Sequence, residues 1–341
     1  MTDLVRRLDW SALAPRDAEQ LLTREWLVTN GLGGYASGTV AGVLTRRYHG
    51  LLVAALPAPL GRMLMLSRFW ERVRLANRNV VVISDEDHVG ASVQLDGARY
   101  LTEFRLESGL PVWRYDLHGI VIEKRLHLVH RQNTVHVRYR LMSGDGPIRL
   151  TLRPTLHFRP HEAPVSEALG GPYVVTAMED RYEISAGPDR PRLALQIHGE
   201  HSAFTLDRKQ LQDILYRVEE SRGYQASGAL WSPGYFRADL EPGHDATVVA
   251  STEPWETIRA LPPDTALDAE RERRTRLVAA APERARHGPA AELVLAADQF
   301  IVAPAGRADD AARVLAEGDE ARTVIAGYPW FTDWGRDTMI S

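Results

Sequence analysis

Three large rings, two carboxylates and a guanidinium crowd the segment from Tyr328 to Ser341. The rings are Trp330, Phe331 and Trp334, and Asp333, Arg336 and Asp337 are interleaved with them. A sugar presents apolar C–H faces and a rim of hydroxyls. Aromatic side chains cover such faces, while Asp accepts from hydroxyls and Arg donates to them. Pro329 and Gly335 punctuate the segment, which suits a loop displayed on a scaffold. The same residues also describe an aromatic core patch with an Arg–Asp ion pair, and residue types alone leave both readings open.

Other clusters offer less chemistry. The run Gly31-Leu32-Gly33-Gly34-Tyr35-Ala36-Ser37-Gly38 is glycine-dense like a phosphate loop. Ala36 stands where a dinucleotide fingerprint needs its third glycine, and no Gly-Lys-Ser/Thr follows. Tight turns between strands are expected instead. His157, His161 and Glu162 are close in sequence, but Pro160 interrupts them and the pattern is not His-Glu-x-x-His. They are expected in a solvated loop. Asp85-Glu86-Asp87-His88 lacks the glycine and spacing of a calcium loop, so an exposed inter-strand turn is expected. His127, His130 and His136 fall on neighbouring predicted strands and are expected on a polar sheet face. No metal site is expected. With no cysteine, disulfides, thiolate metal sites and a cysteine nucleophile are excluded.

The elements that must position the tail are mainly strands. Val112–Leu117, Ile120–Val129, Val135–Leu141 and Leu150–Arg153 alternate apolar with polar residues, which places one face on a core. Turn signals separate them at Asp96-Gly97, His118-Gly119, Gln132-Asn133 and Ser143–Pro147. Glu25–Thr29 reads as a strand closed by an Asn30-Gly31 turn. Further strands are predicted at Tyr173–Thr176, Arg181–Ser185, Leu193–His198, Ala203–Leu206, Tyr235–Leu240 and Thr247–Ser251. Strands at this spacing without intervening helices imply an antiparallel sandwich. After Leu261-Pro262-Pro263 the pattern turns helical. Asp264 is placed to cap a helix reaching about Ala280, and Ala290 to Val302 predicts a second, with Leu293, Ala297 and Phe300 on one stripe. A length of 341 residues allows more than one domain, and a net charge of −4 disfavours nucleic acid and anionic membrane as partners. No targeting segment or membrane span is legible, and a cytoplasmic location is expected.

Ala326-Gly327-Tyr328-Pro329-Trp330-Phe331, followed by Asp333-Trp334-Gly335-Arg336-Asp337-Thr338, resembles the start of the catalytic domain of bacterial and archaeal glycogen debranching enzymes. Those are amylo-α-1,6-glucosidases related to glucoamylases. The run from Glu25-Trp26-Leu27-Val28-Thr29-Asn30-Gly31-Leu32-Gly33-Gly34-Tyr35 through His49-Gly50-Leu51-Leu52 resembles the N-terminal domain of the same enzymes. The centre, from about Asp85 to Glu253, matches only in its all-β pattern.

The resemblance implies a mainly β fold, a large antiparallel two-sheet β-sandwich of the galactose-mutarotase-like supersandwich type. A helical linker and the first elements of an (α/α)6 barrel would follow. It divides the chain into a lead-in at 1–22, the sandwich at 23–260, the linker at 261–289 and the barrel start at 290–341. It implies that Arg336 and Asp337 contact hydroxyls of a terminal glucose, with Trp334 and Trp330 as stacking walls and Asp333 contributing. By the same resemblance the general acid and base lie on later loops beyond Ser341, so no catalytic carboxylate is named, and the 341 residues alone are expected to be inactive. The implied partner is an α-glucan such as glycogen or branched dextrin, handled without an organic cofactor. Two rivals remain: a non-catalytic carbohydrate-binding or structural sandwich, and a disaccharide phosphorylase of the same architecture.

Overall fold

The computed structural model describes residues 4–8, 18–144, 146–170, 172–303, 305, 308–332 and 334–340. Its strands are antiparallel throughout. One sheet has nine strands, in the spatial order Val5–Arg7, Leu101–Glu107, Leu110–Leu117, Ile120–Leu128, Thr134–Ser143, Asp245–Ser251, Leu193–His198, Arg181–Ser185 and Val174–Met178. A second has five: Glu200–Leu215, Ser227–Leu240, Ile148–Thr155, Arg68–Arg74 and Val80–Val82. A third also has five: Arg159–Pro160, Arg62–Leu66, Gly50–Ala55, Tyr35–Thr39 and Glu25–Thr29. Where two sheets are expected before residue 261, the described strands there fall into three. The chain passes from the third to the second at Ser67, between adjoining strands. One core joins all three. Leu126, Val137 and Val248 of the first sheet, Val73, Leu152 and Phe236 of the second, and Val28, Leu52 and Met65 of the third belong to a single buried cluster.

The predicted alternation holds for the core face. Ile122, Leu126, Leu128, Val135, Val137, Tyr139 and Leu141 are all buried. The opposite face differs from expectation, because His127 and His136 are buried too, with ring centroids 4.9 Å apart. The helix Pro263–Ala280 lies over them. Its Arg274 and Arg271 act on His127, and its Asp264 pairs with Arg138 at 2.7 Å. Asp264 does not cap the helix, because the helix starts one residue before it. Pro262 is the cap residue and Pro263 starts the helix, where a missing N–H costs nothing.

Two further expectations change. The predicted 203–206 and 235–240 strands are pieces of a long hairpin, Glu200–Leu215 with Ser227–Leu240. Its pairing shifts register three times, at 200/203, 206/209 and 211/214, so no clean period-two signal survives. The second helix runs Gly288–Phe300, and Ile301–Val302 instead pairs with Thr323–Val324 as a short ribbon. That helix buries Ala291 and Leu295 against Val278, which leaves Leu293 of the predicted stripe 69% exposed.

A polar clasp fixes the turn after the first strand of the third sheet. Asn30 Nδ2 donates to Gln132 O at 3.0 Å and to Asn133 Oδ1 at 2.9 Å. Asn133 Oδ1 also accepts from Ala55 N at 2.8 Å, and its Nδ2 donates to Ala55 O at 2.8 Å. Gly31 beside it has φ +74° and would drive a Cβ to 2.6 Å from the His130 ring, so both conformation and space demand glycine.

Asn133→Ala should strand the Ala55 N–H and C=O and one Asn30 donor in a buried place. At about 1–3 kcal/mol per unsatisfied group, the three groups give an expected loss of about 3–9 kcal/mol, read from urea unfolding. A loss indistinguishable from zero would remove the clasp from the stability argument. The buried histidines set a pH dependence as well. Burial, with Arg125 and Arg274 beside it, pushes His127 down to about 3, and burial beside Arg159 pushes His157 down to about 4. Below the ordinary histidine pKa the unfolded chain then binds protons that the folded one refuses. The histidines' contribution to stability is full above about pH 6.5 and falls toward pH 4, by up to about 1.4 kcal/mol per pH unit for each such group. His127→Phe should flatten that slope in unfolding midpoints measured from pH 7 to 4; an unchanged slope would exclude His127 as a source.

Candidate functional site

The 323–340 segment reaches the sheets by three kinds of contact. Backbone bonds come first, through the ribbon: Ile325 N donates to Phe300 O, and Ala303 N, which follows the paired Ile301–Val302, donates to Gly31 O, both at 2.9 Å. Apolar packing comes second, as Val302, Ile325 and Tyr328 form one buried cluster with Tyr35, Val53 and Leu64 of the third sheet. The third contact is Arg62, buried at 8% exposure at the start of the Arg62–Leu66 strand. It donates to Pro329 O at 3.0 Å and to Phe331 O. Its guanidinium also lies 5.4 Å from the Tyr328 ring centroid. A planar fork can serve two carbonyls and a ring face together, which a lysine ammonium does poorly. The loop closes on itself through Phe331 N to Gly327 O at 2.8 Å. Thr338 Oγ1 donates to Val324 O at 3.3 Å and ties the final helix, Gly335–Ile340, to the ribbon.

Trp330 and Trp334 contact different neighbours. Trp330 is 38% exposed and stands edge-on to Tyr48, centroids 6.3 Å apart. The guanidinium carbons of Arg46 and Arg222 lie 5.8 Å and 5.7 Å from its centroid. Trp334 is 48% exposed and stands edge-on to Phe331 at 5.4 Å. Among the described residues no ring contact joins Trp330 to Trp334, so they are not one stacked pair. Arg336 is exposed in the first turn of the final helix, and Asp337 follows it there. Asp333 lies outside the described residues. Two clefts flank the segment. One, of about 330 Å³, is lined by Arg62, Thr323, Ile325 and Thr332 among others. The other, of about 530 Å³, is lined by Phe300, Val324, Ala326 and Ile340 among others.

The remaining sequence candidates are more buried than expected. His161 is buried, not solvated, and burial with Arg62 close by pushes its pKa down to about 4. A neighbouring cation opposes a metal ion at that place. Among the described residues no group of three His, Asp or Glu side chains is arranged to hold a metal. The Asp85–His88 run is a buried, partnered knot and not an exposed turn. Asp85 Oδ1 accepts from Gly97 N at 2.6 Å, Asp87 Oδ2 pairs with Arg217 at 2.6 Å, and Glu86 pairs with Arg68. Its partners come from 97–98 and 217, too far along the chain for local pattern to reveal. Sequence reasoning missed Arg62, Arg46, Tyr48 and Arg222. Neither the run Arg46-Arg47-Tyr48 nor Arg62 carries a local mark of its place beside the tail.

Arg62→Met keeps an apolar stem and removes both carbonyl bonds. Hydrogen bonds from charged groups are worth about 1.5–3 kcal/mol each, so the tail should loosen while the sheets persist. Hydrogen exchange of amides in 325–332 should accelerate at least tenfold, with 122–141 unchanged. Equal protection in both segments would refute the latch.

Comparison with known proteins fits this arrangement. The glycogen debranching enzyme N-terminal family model matches residues 24–247, and the amylo-alpha-1,6-glucosidase model matches residues 295–341. Comparison with curated proteins found no match. Among solved structures, a bacterial glucoamylase complexed with acarbose is similar at TM-score 0.33 and 10% identity, over 73% of this chain and 33% of that one. A protein from the human microbiome described as a kojibiose phosphorylase is similar at TM-score 0.35 and 10% identity, over 87% of this chain and 37% of that one. The chain thus spans about a third of the length of those two structures, and likeness at that level carries no argument. No helix among the described residues is long and apolar enough to cross a membrane. The N-terminal match takes in more than half of the chain, including the sheet whose Arg62 grips the tail, and by it this chain belongs to the glycogen debranching enzyme N-terminal family.

Proposed function

We propose that this chain forms the N-terminal domain and part of the sugar-binding floor of an enzyme that hydrolyses α-1,6-glucosidic branch points in glycogen or a related α-glucan. The carrying observation is the Arg62 latch. A side chain of the family-matched sheet holds the Pro329–Phe331 backbone and leaves Trp330 and Trp334 open to solvent. In this reading the tail is a displayed binding segment, and the sheets are the frame that displays it. The division at about 260 and 290 into frame, linker and barrel start belongs to the same proposal, as does a cytoplasmic location.

Glycoside hydrolysis needs a carboxylic acid of raised pKa beside the leaving oxygen and a second carboxylate across the bond. Among the described residues the carboxyl pushed clearly up is Asp85, which burial carries to about 7 against the opposing Ala98 and Gly97 N–H groups. It is only 2% exposed and both its oxygens are engaged by backbone, so it has no access to a polysaccharide. The proposed share of this chain is therefore to bind and orient, with proton transfer assigned to other groups of the enzyme.

Steady-state kinetics on a branched oligosaccharide, using the enzyme that contains this chain, test the reading. Asp337→Asn keeps the shape and removes a charged acceptor, so kcat and kcat/KM should fall together by about 10- to 150-fold. Trp334→Ala should raise KM with kcat nearly unchanged, if stacking is equal in ground and transition states. Wild-type constants for Asp337→Asn would overturn the floor. Glucose 1-phosphate formed only with added phosphate would replace hydrolysis by phosphorolysis, and saturable glycogen binding without any product would reduce the role to binding.

A further inference from the structure

The sheet frame presents a second exposed ring beside the tail. Tyr224 is 57% exposed at the end of the turn that follows the Arg217–Ser221 helix. The Arg47 guanidinium lies 4.7 Å from its centroid. Two residues earlier, Arg222 reaches the Trp330 ring, which Arg46 and Tyr48 also touch. Trp330 and Tyr224 are thus bridged by three consecutive residues, Arg46, Arg47 and Tyr48. That bridge is held firmly. Arg47 pairs with the buried Glu219 at 2.6 Å, and its backbone N donates to Glu219 Oε1 at 3.0 Å. Its carbonyl accepts from the buried Arg159 at 2.5 Å. Arg46 is braced by Glu25 at 2.6 Å. A wall already rigid loses little entropy when it takes a ligand.

The chemistry of this surface fits a neutral polyol. Arg46 and Arg222 offer donors, and Glu162, 60% exposed at its side chain, offers an acceptor. Arg47, Glu162, Glu219 and Arg222 all act on the half-buried Tyr48 hydroxyl, so both charge signs surround it. Such balance favours no ion in particular, while alternating rings and forked donors suit successive sugar units. Behind Tyr48 lies His161, buried, with its ring centroid 5.8 Å away and its Nε2 without a hydrogen-bond partner. Glu162 Oε1 lies 3.8 Å from that nitrogen, opposite in charge to the neighbouring Arg62.

We infer that Arg46, Tyr48, Arg222 and Tyr224 form a track on the sheet frame for a linear α-glucan chain leading away from Trp330. The inference rests on the reading of the tail as a sugar floor and adds chain-length recognition by the N-terminal domain. Short sugars meet only the floor; longer chains gain the track.

Calorimetric titration of the chain with maltose and with maltoheptaose tests it. Wild-type protein should bind maltoheptaose more tightly than maltose. Tyr224→Ala and Tyr224→Leu, at an exposed position, should weaken maltoheptaose about tenfold and leave maltose unchanged, since each removes the ring contact. Thermal melting checks that both variants fold. Wild-type affinity for maltoheptaose in both variants overturns the track, as does an equal loss for the two sugars, which would place the effect at the floor. The two readings fail separately. Branch hydrolysis by the enzyme together with unaltered maltoheptaose binding in the variants removes the track alone. Absence of branch hydrolysis together with a selective loss for maltoheptaose keeps the track and removes the hydrolase.

Discussion

The guanidinium of Arg62 donates to two carbonyls of a segment 267 and 269 residues away, and the candidate site hangs on that contact. Arg62 forms no ion pair with a carboxylate among the described residues. A buried charge without an opposite charge is expensive, by several kcal/mol. Two carbonyl dipoles and the Tyr328 ring face offset that cost only while the tail is docked. The dependence runs both ways. The tail needs Arg62 to hold an irregular backbone, and Arg62 needs the tail to remain solvated by something other than water.

The same device recurs around the site. Arg159, almost wholly buried, collects the carbonyls of Pro160, His161, Ala163 and Arg47. Asn133 and Asn30 collect those of Ala55 and Gln132. Loops satisfy less of their own backbone than strands do, and at these loops buried side chains take up the carbonyls that remain. The consequence for function is rigidity. The carbonyls of Pro329 and Phe331, on either side of Trp330, are committed to Arg62, and that of Trp334 accepts from Thr338 N, so the backbone carrying both rings is tied down.

Much of the frame was legible before any coordinates. Ile120–Leu128 and Thr134–Ser143 announce themselves by alternation, and Glu25–Thr29 by its Asn30-Gly31 turn. The aromatic and charged tail declares a sugar-like chemistry through residue types alone. Its wording, with that of the Glu25–Leu52 run, pointed to the family whose models match at 24–247 and 295–341. The hairpin Glu200–Leu215 with Ser227–Leu240 was found only in fragments, because each register shift resets which residues face inward.

What the sequence determined by itself is therefore what neighbours within a few residues decide: strand periodicity, turn positions, helix content after Pro263 and the chemical type of the tail. What only the tertiary structure decided is which polar residues are buried and which distant ones meet. His127 and His136 sit on the face predicted to be wet, and the helix Pro263–Ala280 dries it. Asp85 and Asp87 look like a solvated charge run until Gly97, Ala98 and Arg217 close over them. Arg62 carries no local mark of its task. Burial is set by surfaces brought together after long stretches of chain, and a charge becomes a latch only when a partner backbone arrives to receive it. Local pattern contains no term for either, which is why the frame could be read in one dimension and the grip on the tail could not.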